Sequence, residues 1–341
     1  MAAASAVEAG LRVDIDGGVS FAADAAEDSL LRAALRAGIG FPHECSVGGC
    51  GACRFELVNG EVEDLWPQAP GLSERDRRRG KRLACQSRLC SDVTLRLRCD
   101  DAYRPVVPPR RLSFVLTGRR MLTHDMAELS FETGEAVDFR PGQYALLYLP
   151  GVTGPRAYSM SNVADGSGRL QFIVRRTPDG QGSGALVERL AVGQRIDIDA
   201  PYGHAFLREQ VTRPMVCIAG GSGLAPMLSI ARRAMAVMSA PVDFFFGGRM
   251  PEDLCADALL QELPGYGQRL RLHNVVSGDA GGCWQGATGW VHDAVDRVIG
   301  ERASDCEFYF AGPPPMIESL QELLMVRRKV DFGQIHFDRF V

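Results

Sequence analysis

Cys45-Ser46-Val47-Gly48-Gly49-Cys50-Gly51-Ala52-Cys53 decides how this chain of 341 residues is read. Four residues separate the first two cysteines, two separate the next pair, and thirty-one more lead to Cys85 in Arg82-Leu83-Ala84-Cys85-Gln86-Ser87. Two bridged irons need four converging thiolates, and one tight loop can supply three if its backbone curls around them. Glycines permit that curl, because they accept positive φ and carry no side chain to strike the bridging sulfides. The loop N–H groups then point at sulfur, where they tune the potential. Structural zinc uses paired C-x2-C knuckles, which this array lacks. A disulfide framework would call for a secretory signal, and Met1 to Gly10 has neither the basic start nor the apolar core of one. Cys90 and Cys99 are rivals for the fourth ligand position.

The C-x4-C-x2-C…C spacing resembles that of plant-type [2Fe–2S] ferredoxins. Cys85 is the preferred fourth ligand, because Leu-Ala before it and Gln-Ser after it follow that family's pattern. Such a cluster carries single electrons. Cys99, Cys217, Cys255, Cys283 and Cys306 are scattered and read as buried apolar residues. His43 beside the loop reads as a surface histidine.

The length calls for two or three domains. A net charge of −4 argues against nucleic acid as a partner, and no apolar run reaches the ~18 residues that span a membrane. Ten cysteines without an export signal suit a reducing cytoplasm.

Three segments follow one another. Residues 11–23 alternate as a hairpin turning at Asp16-Gly17-Gly18, and 27–38 read as a helix with an apolar stripe of Leu30, Leu31, Ala34 and Leu35. With strands near 54–58 and 93–97, residues 8–100 make a small β-grasp module around the cysteine loop. Asp101 to Pro109 is proline-rich and reads as a stiff linker. Residues 110–212 offer short strands at 112–117, 126–132, 143–149, 170–176 and 195–199, an antiparallel barrel pattern. From 213 to 341 the texture changes to strands at 215–219, 242–247 and 306–311 alternating with helices, the mark of a parallel α/β sheet.

Arg156-Ala157-Tyr158-Ser159-Met160-Ser161-Asn162 resembles the R-x-Y-S-x-x-N motif of the ferredoxin–NAD(P)H reductase superfamily. The resemblance covers essentially the whole chain. It implies FAD in the barrel, with Arg156 on its pyrophosphate, Tyr158 stacked on the ring, Ser159 near the hydride-accepting atom and Met160 alongside. The chemistry agrees: a guanidinium fork suits phosphate and an aromatic suits a planar ring. Gly180-Gln181-Gly182-Ser183-Gly184 matches the family's G-x-x-S segment, so Gly182, Ser183 and Gly184 are assigned to the pyrophosphate, ahead of a helix over 185–190. Arg175 and Arg176 add charge there or lie on the surface.

Gly220-Gly221-Ser222-Gly223-Leu224-Ala225-Pro226 is similar to the family's G-G-x-G-x-x-P nucleotide loop, which implies that Gly220, Gly221, Gly223 and Pro226 hold the nicotinamide dinucleotide. Gly312-Pro313 lies in a turn resembling C-G-P-P-x-M, with Ala311 in place of the cysteine. Phe340, or second to it Phe337, matches the aromatic of relatives that covers the flavin. Arg249, followed by Glu252 and Asp253, leans the preference to NADH over NADPH.

The resemblance implies an NADH-dependent oxidoreductase: hydride passes to FAD, and single electrons leave through the cluster for an oxygenase component or an intermediary ferredoxin. Leu65-Trp66-Pro67, Ala69-Pro70-Gly71-Leu72-Ser73 and the Ile335-His336-Phe337-Asp338 ending resemble reductases of toluene-type diiron aromatic monooxygenases. A reductase of a Rieske ring-hydroxylating dioxygenase is the alternative, and a zinc-stapled binding protein the alternative of another class. The run Glu74–Arg82 reads as a solvated loop or as a surface that steers an acidic partner.

Overall fold

The computed structural model describes residues 10–24, 26–278, 282 and 284–340; Cys283, and residues 8 and 9 at the start of the expected first module, lie outside them. The chain divides between Arg110 and Arg111 into two compact units.

The first unit is a β-grasp. Strands β1 (Leu11–Ile15) and β2 (Val19–Ala23) form the expected hairpin. Helix α1 (Leu30–Arg36) follows, capped by the Ser29 hydroxyl, which accepts from the Arg32 N–H. It starts later than its apolar pattern suggested, because Ser29 ends the preceding turn. Strands β3 (Arg54–Asn59) and β4 (Val62–Asp64), helix α2 (Glu74–Arg78), and strands β5 (Lys81–Leu83), β6 (Ser87–Leu89) and β7 (Val93–Arg96) complete the unit. The main sheet runs β2-β1-β7-β3-β5, with β1 and β7 parallel, and β4 pairs with β6. Val13, Ile15, Leu30, Leu31, Ala34, Leu35 and Leu95 are buried.

The second unit begins with a barrel: β8 (Arg110–Met121), β9 (Met126–Glu132), β10 (Tyr144–Tyr148), β11 (Arg156–Ser159), β12 (Arg169–Arg175), helix α3 (Gln181–Gly184) and β13 (Arg195–Tyr202). The order is β11-β10-β13-β8-β9-β12. A bridge between Met160 and Phe172, with the Ser161 N–H donating to Gln171 O at 2.8 Å, joins the two ends. Phe114, Leu116, Leu129, Phe131, Leu147, Phe172 and Ile198 fill the interior.

The rest is α/β: β14 (Met215–Gly220), α4 (Leu224–Val237), β15 (Val242–Gly248), α5 (Ala256–Leu260), β16 (Leu270–Val276), β17 (Ala287–Thr288), α6 (Val291–Ile299), β18 (Glu307–Gly312), α7 (Pro314–Gln321) and β19 (Ile335–Arg339). All pairs in the sheet β17-β16-β15-β14-β18-β19 are parallel. Its central strand β14 is a continuous apolar run, as a sheet covered on both faces requires. One apolar cluster joins Met126 and Ile173 of the barrel to Leu224, Ala225 and Leu228 of α4.

Helix α4 starts three residues before the expected Met227, at Leu224. Pro226 is tolerated there, because an N–H in the first turn has no intrahelical partner to lose. The last strand lies beside β18, where Phe337 stacks on Phe310 with centroids 5.3 Å apart. Phe337 is therefore a packing residue.

Glu307 opens β18 with its carboxylate buried. It accepts from Arg213 Nη2 at 2.6 Å and lies 2.7 Å from His336 Nε2. Burial pushes its carboxyl up, but the bonds from His336 and Arg213 outweigh that and hold it below the ordinary value of 4.5. A depressed folded-state value means that this stabilisation is complete above the unfolded value and is lost as pH falls through the folded one. Glu307→Gln is expected to cost about 1–3 kcal/mol at pH 7. Thermal unfolding followed from pH 7 down to about pH 4 should show a shallower acid limb for the variant than for the parent.

Candidate functional site

The cysteine loop leaves α1 through Gly38 and returns to the sheet at β3, so Cys53 sits immediately before a strand and is fixed by it. Gly49 and Cys50 each point an N–H at Cys45 Sγ at 3.3 Å, and Ala52 N–H points at Cys50 Sγ at 3.4 Å. Gly51 takes φ +78°, and a Cβ there would meet Gly71 O at 2.3 Å. Gly71 N–H donates to Gly48 O at 2.9 Å, so the 69–72 turn closes over the loop backbone.

Cys85 arrives on the return segment after β5, and its sulfur lies 3.4 Å from Cys53 Sγ. Cys90 is exposed, with its thiol 3.9 Å from Arg88 O. The hydrogen bond from Cys50 pulls the Cys45 thiol down to about 6. Hydrogen bonding with Cys53, then burial, raises that of Cys85. Two close thiol pairs, N–H groups aimed at sulfur and a loop with room for no extra side chain fit a [2Fe–2S] cluster on Cys45, Cys50, Cys53 and Cys85.

Two expectations near the loop change. His43 is buried, its Nδ1 2.8 Å from Phe41 O, and burial lowers its ring pKa to about 4. Cys99 is half-buried, whereas Cys217, Cys255 and Cys306 are buried as expected.

In the second unit, β11 presents Arg156 and Tyr158 beside the first turn of α3, and the buried Ser159 ends the strand. That helix begins at Gln181, so the glycine-rich run is itself helical and Gly182, Ser183 and Gly184 are buried, where the sequence suggested a loop ahead of the helix. A Cβ on Gly182 would lie 2.9 Å from Arg156 Cγ and 3.1 Å from Tyr158 Oη. Glycine therefore keeps open the space between the arginine, the tyrosine and the helix start, which fits the pyrophosphate of FAD. Arg156 Nη1 donates to the carbonyls of Thr153, Gly154 and Pro155 at 3.0–3.2 Å, which orients the fork. Burial pushes the Tyr158 hydroxyl up to about 12, so the ring stays neutral. Ser183 Oγ accepts from Thr177 N–H at 3.1 Å and ties the helix start to the preceding loop. Met160 is wholly buried in the barrel core, so only its backbone is available to a cofactor.

The nucleotide loop lies at the end of β14. Gly221 takes φ +55°, and a Cβ on it would stand 3.5 Å from Arg175 Nη1. On Gly223 a Cβ would strike Ala311 O at 2.0 Å. Gly220 faces Met316, whose Sδ a Cβ would meet at 2.6 Å. Phe340 N–H donates to Gly312 O at 3.1 Å, so the C-terminal aromatic is held at the Gly312-Pro313 turn. Arg249 is exposed, and Asp253 accepts the N–H groups of Arg249 and Met250 at 2.9 and 3.0 Å. Of the two arginines left open by the sequence, Arg175 pairs with Asp125 at 2.6 Å and approaches Asp253 at 3.6 Å, while Arg176 pairs with Glu188 at 2.7 Å.

The clasp between flavin barrel and nucleotide sheet escaped the sequence reading. Ser229 Oγ on α4 donates to Asn162 O at 2.6 Å, and Arg232 Nη1 donates to Ser161 O at 2.8 Å. Asn162 accepts from Gln171 N–H and donates to Arg169 O, both at 2.9 Å. These bonds tie the end of the R-x-Y-S strand to the helix behind the nucleotide loop. Ser229 and Arg232 are ordinary in type and their partners lie 67 and 71 positions away, so they leave no local signal.

Residues 13–90 match the 2Fe-2S iron-sulfur cluster binding domain family, 113–206 the oxidoreductase FAD-binding domain family and 217–322 the oxidoreductase NAD-binding domain family. The chain is 40% identical over 318 residues to the ferredoxin–NAD(P)(+) reductase CarAd of Metapseudomonas resinovorans, covering 92% of this chain and 94% of that one. It is 39% identical over 320 residues to the ferredoxin–NAD(+) reductase component of the alkene monooxygenase system of Xanthobacter autotrophicus, covering 92% and 96%. The solved ferredoxin reductase in carbazole 1,9a-dioxygenase superposes with a TM-score of 0.90 at 35% identity, covering 97% of this chain and 98% of that one.

Cys85→Ala should lose iron, sulfide and the cluster's visible absorbance, while Cys90→Ala keeps them; both are read by iron and acid-labile sulfide analysis of the purified chain. Gly182→Val should lower FAD retention at least about tenfold, measured by released-flavin fluorescence, with the iron content unchanged.

Proposed function

The chain belongs to the ferredoxin–NAD(P)(+) reductases that carry FAD-, NAD- and [2Fe–2S]-binding domains in one polypeptide, and on that premise we propose that its electrons leave for a toluene-type diiron aromatic monooxygenase. It is an NADH-dependent flavin and iron–sulfur oxidoreductase. When bound, FAD accepts a hydride from NADH and the cluster passes the electrons on singly. The observation that carries the reading is the four-thiol cradle in the same chain as the open space at Gly182 and the glycine loop at the end of β14.

We assign the parts as follows. Residues 8–100 form the cluster domain, 101–109 the linker, 110–212 the FAD domain and 213–341 the nucleotide domain. Cys45, Cys50, Cys53 and Cys85 ligate the cluster. Arg156, Gly182, Ser183 and Gly184 hold the flavin pyrophosphate, and Tyr158 supports its ring. Ser159, which is 5% exposed on β11, supplies a hydroxyl next to the ring, with the Met160 backbone following it. Gly220, Gly221, Gly223 and Pro226 form the nucleotide cradle. Gly312, Pro313 and Phe340 flank the nicotinamide. Arg249 meets the adenosine ribose, and the neighbouring Asp253 carboxylate favours NADH over a 2′-phosphate.

Similarity to the alkene monooxygenase reductase supports a monooxygenase acceptor, as do the Leu65–Ser73 stretch and the Ile335–Asp338 ending. The similarity to the ferredoxin reductase in carbazole 1,9a-dioxygenase favours a second reading, a Rieske ring-hydroxylating dioxygenase as acceptor, with or without an intermediary ferredoxin. Among the described residues no helix is long and apolar enough to cross a membrane. With a thiolate-bound cluster, this supports a cytoplasmic place.

Anaerobic titration with NADH should bleach both flavin and cluster absorbance and produce a rhombic paramagnetic signal. NADH should exceed NADPH in kcat/KM by about tenfold or more. A toluene-type hydroxylase should turn over with this chain and NADH faster than a Rieske oxygenase does, and the reverse order would select the second reading.

A further inference from the structure

We propose that the exposed cations Arg75, Arg78 and Arg79 around α2, with the half-buried Lys81 beside them, form the docking surface for an acidic face of the protein that accepts this chain's electrons. The inference rests on the electron-transfer reading above and adds the place and charge of the contact.

Glu74 to Arg82 holds six cations against two acids, in a chain whose net charge is −4. The structure distinguishes these cations from several other exposed arginines of the unit. Arg12 pairs with Asp14 at 2.9 Å, Arg88 with Glu63 at 2.8 Å, Arg96 with Glu56 at 2.8 Å and Asp16 at 3.1 Å, and Arg104 with Asp101 at 2.9 Å. Arg75, Arg78 and Arg79 are exposed and, among the described residues, have no carboxylate within ion-pair distance. Asp76, the acid in their midst, already serves Lys81 at 3.0 Å and Arg54 at 3.1 Å. Glu74 alone remains to offset three guanidinium groups.

The patch is also tied to the cluster ligands. Arg77 turns inward and donates to Ala69 O at 2.7 Å, in the turn whose Gly71 bonds Gly48 of the cysteine loop. Arg54 directly follows Cys53, and Lys81 opens the strand that leads to Cys85. An isolated solvated helix would need none of these anchors. Unpaired charges on an anchored segment beside an electron exit raise the rate of encounter with a complementary surface, by factors of about 10 to 1000 at low salt. The transfer itself moves one electron from the reduced cluster to the acceptor metal, which falls by one oxidation state, with no bond made and no proton moved.

The test uses the full chain loaded with flavin and cluster, and cytochrome b5 as an acidic one-electron protein probe, whose ferric haem becomes ferrous. Two variants are compared, Arg75→Glu/Arg78→Glu/Arg79→Glu and the charge-conserving Arg75→Lys/Arg78→Lys/Arg79→Lys. Cytochrome b5 binding by calorimetry at low salt should weaken at least about tenfold in the glutamate variant and stay near the parent in the lysine variant. Its NADH-driven reduction should fall in parallel, and the parent's rate should decline with salt more steeply than the variant's. NADH-driven bleaching of flavin and cluster should be equal in all three proteins. If the parent itself shows no bleaching, the electron-transfer reading fails. If bleaching is normal and the glutamate variant binds and reduces cytochrome b5 as the parent does, the docking surface is overturned. It is also overturned if the loss is equal for basic cytochrome c, or if the patch binds duplex DNA and not cytochrome b5.

Discussion

A buried hydroxyl on one helix governs the hydride half of this molecule. Ser229 Oγ donates to Asn162 O, the carbonyl at the end of the R-x-Y-S-x-x-N segment. Both partners are buried, so separating them strands a donor and an acceptor away from water, at a cost of about 1–3 kcal/mol each. Arg232 adds a second bond to Ser161 O one residue earlier. The strand carrying the flavin residues and the helix behind the nucleotide loop are thereby one object. Hydride transfer needs its two partners in near-contact, and positioning of that kind is lost through displacements of about an ångström. Packing reinforces the bonds: Met126 and Ile173 of the barrel share an apolar cluster with Leu224, Ala225 and Leu228.

That clasp also shows where sequence reading stops. The motif Asn162 was visible, but its work is structural: it bonds Gln171 and Arg169 and so fixes the bridge that joins the barrel's ends. Ser229 and Arg232 look like any polar residues on an amphipathic helix, because their partners are backbone carbonyls some seventy residues away. By contrast, strands and glycine loops announced themselves. The run Met215–Gly220 is apolar throughout, as a central parallel strand must be, and the loop after it needs glycine because Ala311 O stands where a Cβ would go. Steric necessity leaves a mark at its own position in the chain. A long-range hydrogen bond leaves none.

Helix starts were legible to within a turn, and the misses share a cause. Helix α3 begins at Gln181 and α4 at Leu224, both inside stretches whose glycines suggested loop. In each case the glycines are needed for close approach, of Arg156 and Tyr158 to Gly182 and of Ala311 O to Gly223; α3 forms despite the poor intrinsic propensity of its glycines, and α4 begins directly after Gly223. Tertiary contact overrode local preference where the backbone has to come near something else. His43 is the same lesson in reverse: polarity suggested the surface, yet its Nδ1 bonds Phe41 O and burial holds the ring neutral near pH 7.

The cluster cradle shows how much of a metal site is backbone. Spacing points to Cys45, Cys50 and Cys53, but the sulfurs of Cys45 and Cys50 accept from the N–H groups of Gly49, Cys50 and Ala52, and a turn at Gly71 that no ligand pattern includes closes over the loop. Arg32 lies buried beneath this region, pairing with Asp28 at 2.9 Å and Ser29 Oγ at 2.7 Å. A guanidinium that is 2% exposed is retained only where its charge is met, and here Asp28 meets it from within the same helix start. Hydrogen bonding with Cys53 and burial still raise the Cys85 thiol, and the charge of Arg32 offsets only part of that. Much of the charge in this unit is balanced locally, pair by pair, from Arg32 outward to Arg88 and Arg96. Along α2 and at its C-cap, three guanidiniums stay exposed with no carboxylate at ion-pair distance among the described residues. Arg75 and Arg78 stand in the last turn of this short helix and Arg79 caps it, where a cation offsets the helix dipole by only about 0.3–1 kcal/mol, so most of the field of three clustered guanidiniums is left to act on something outside the chain.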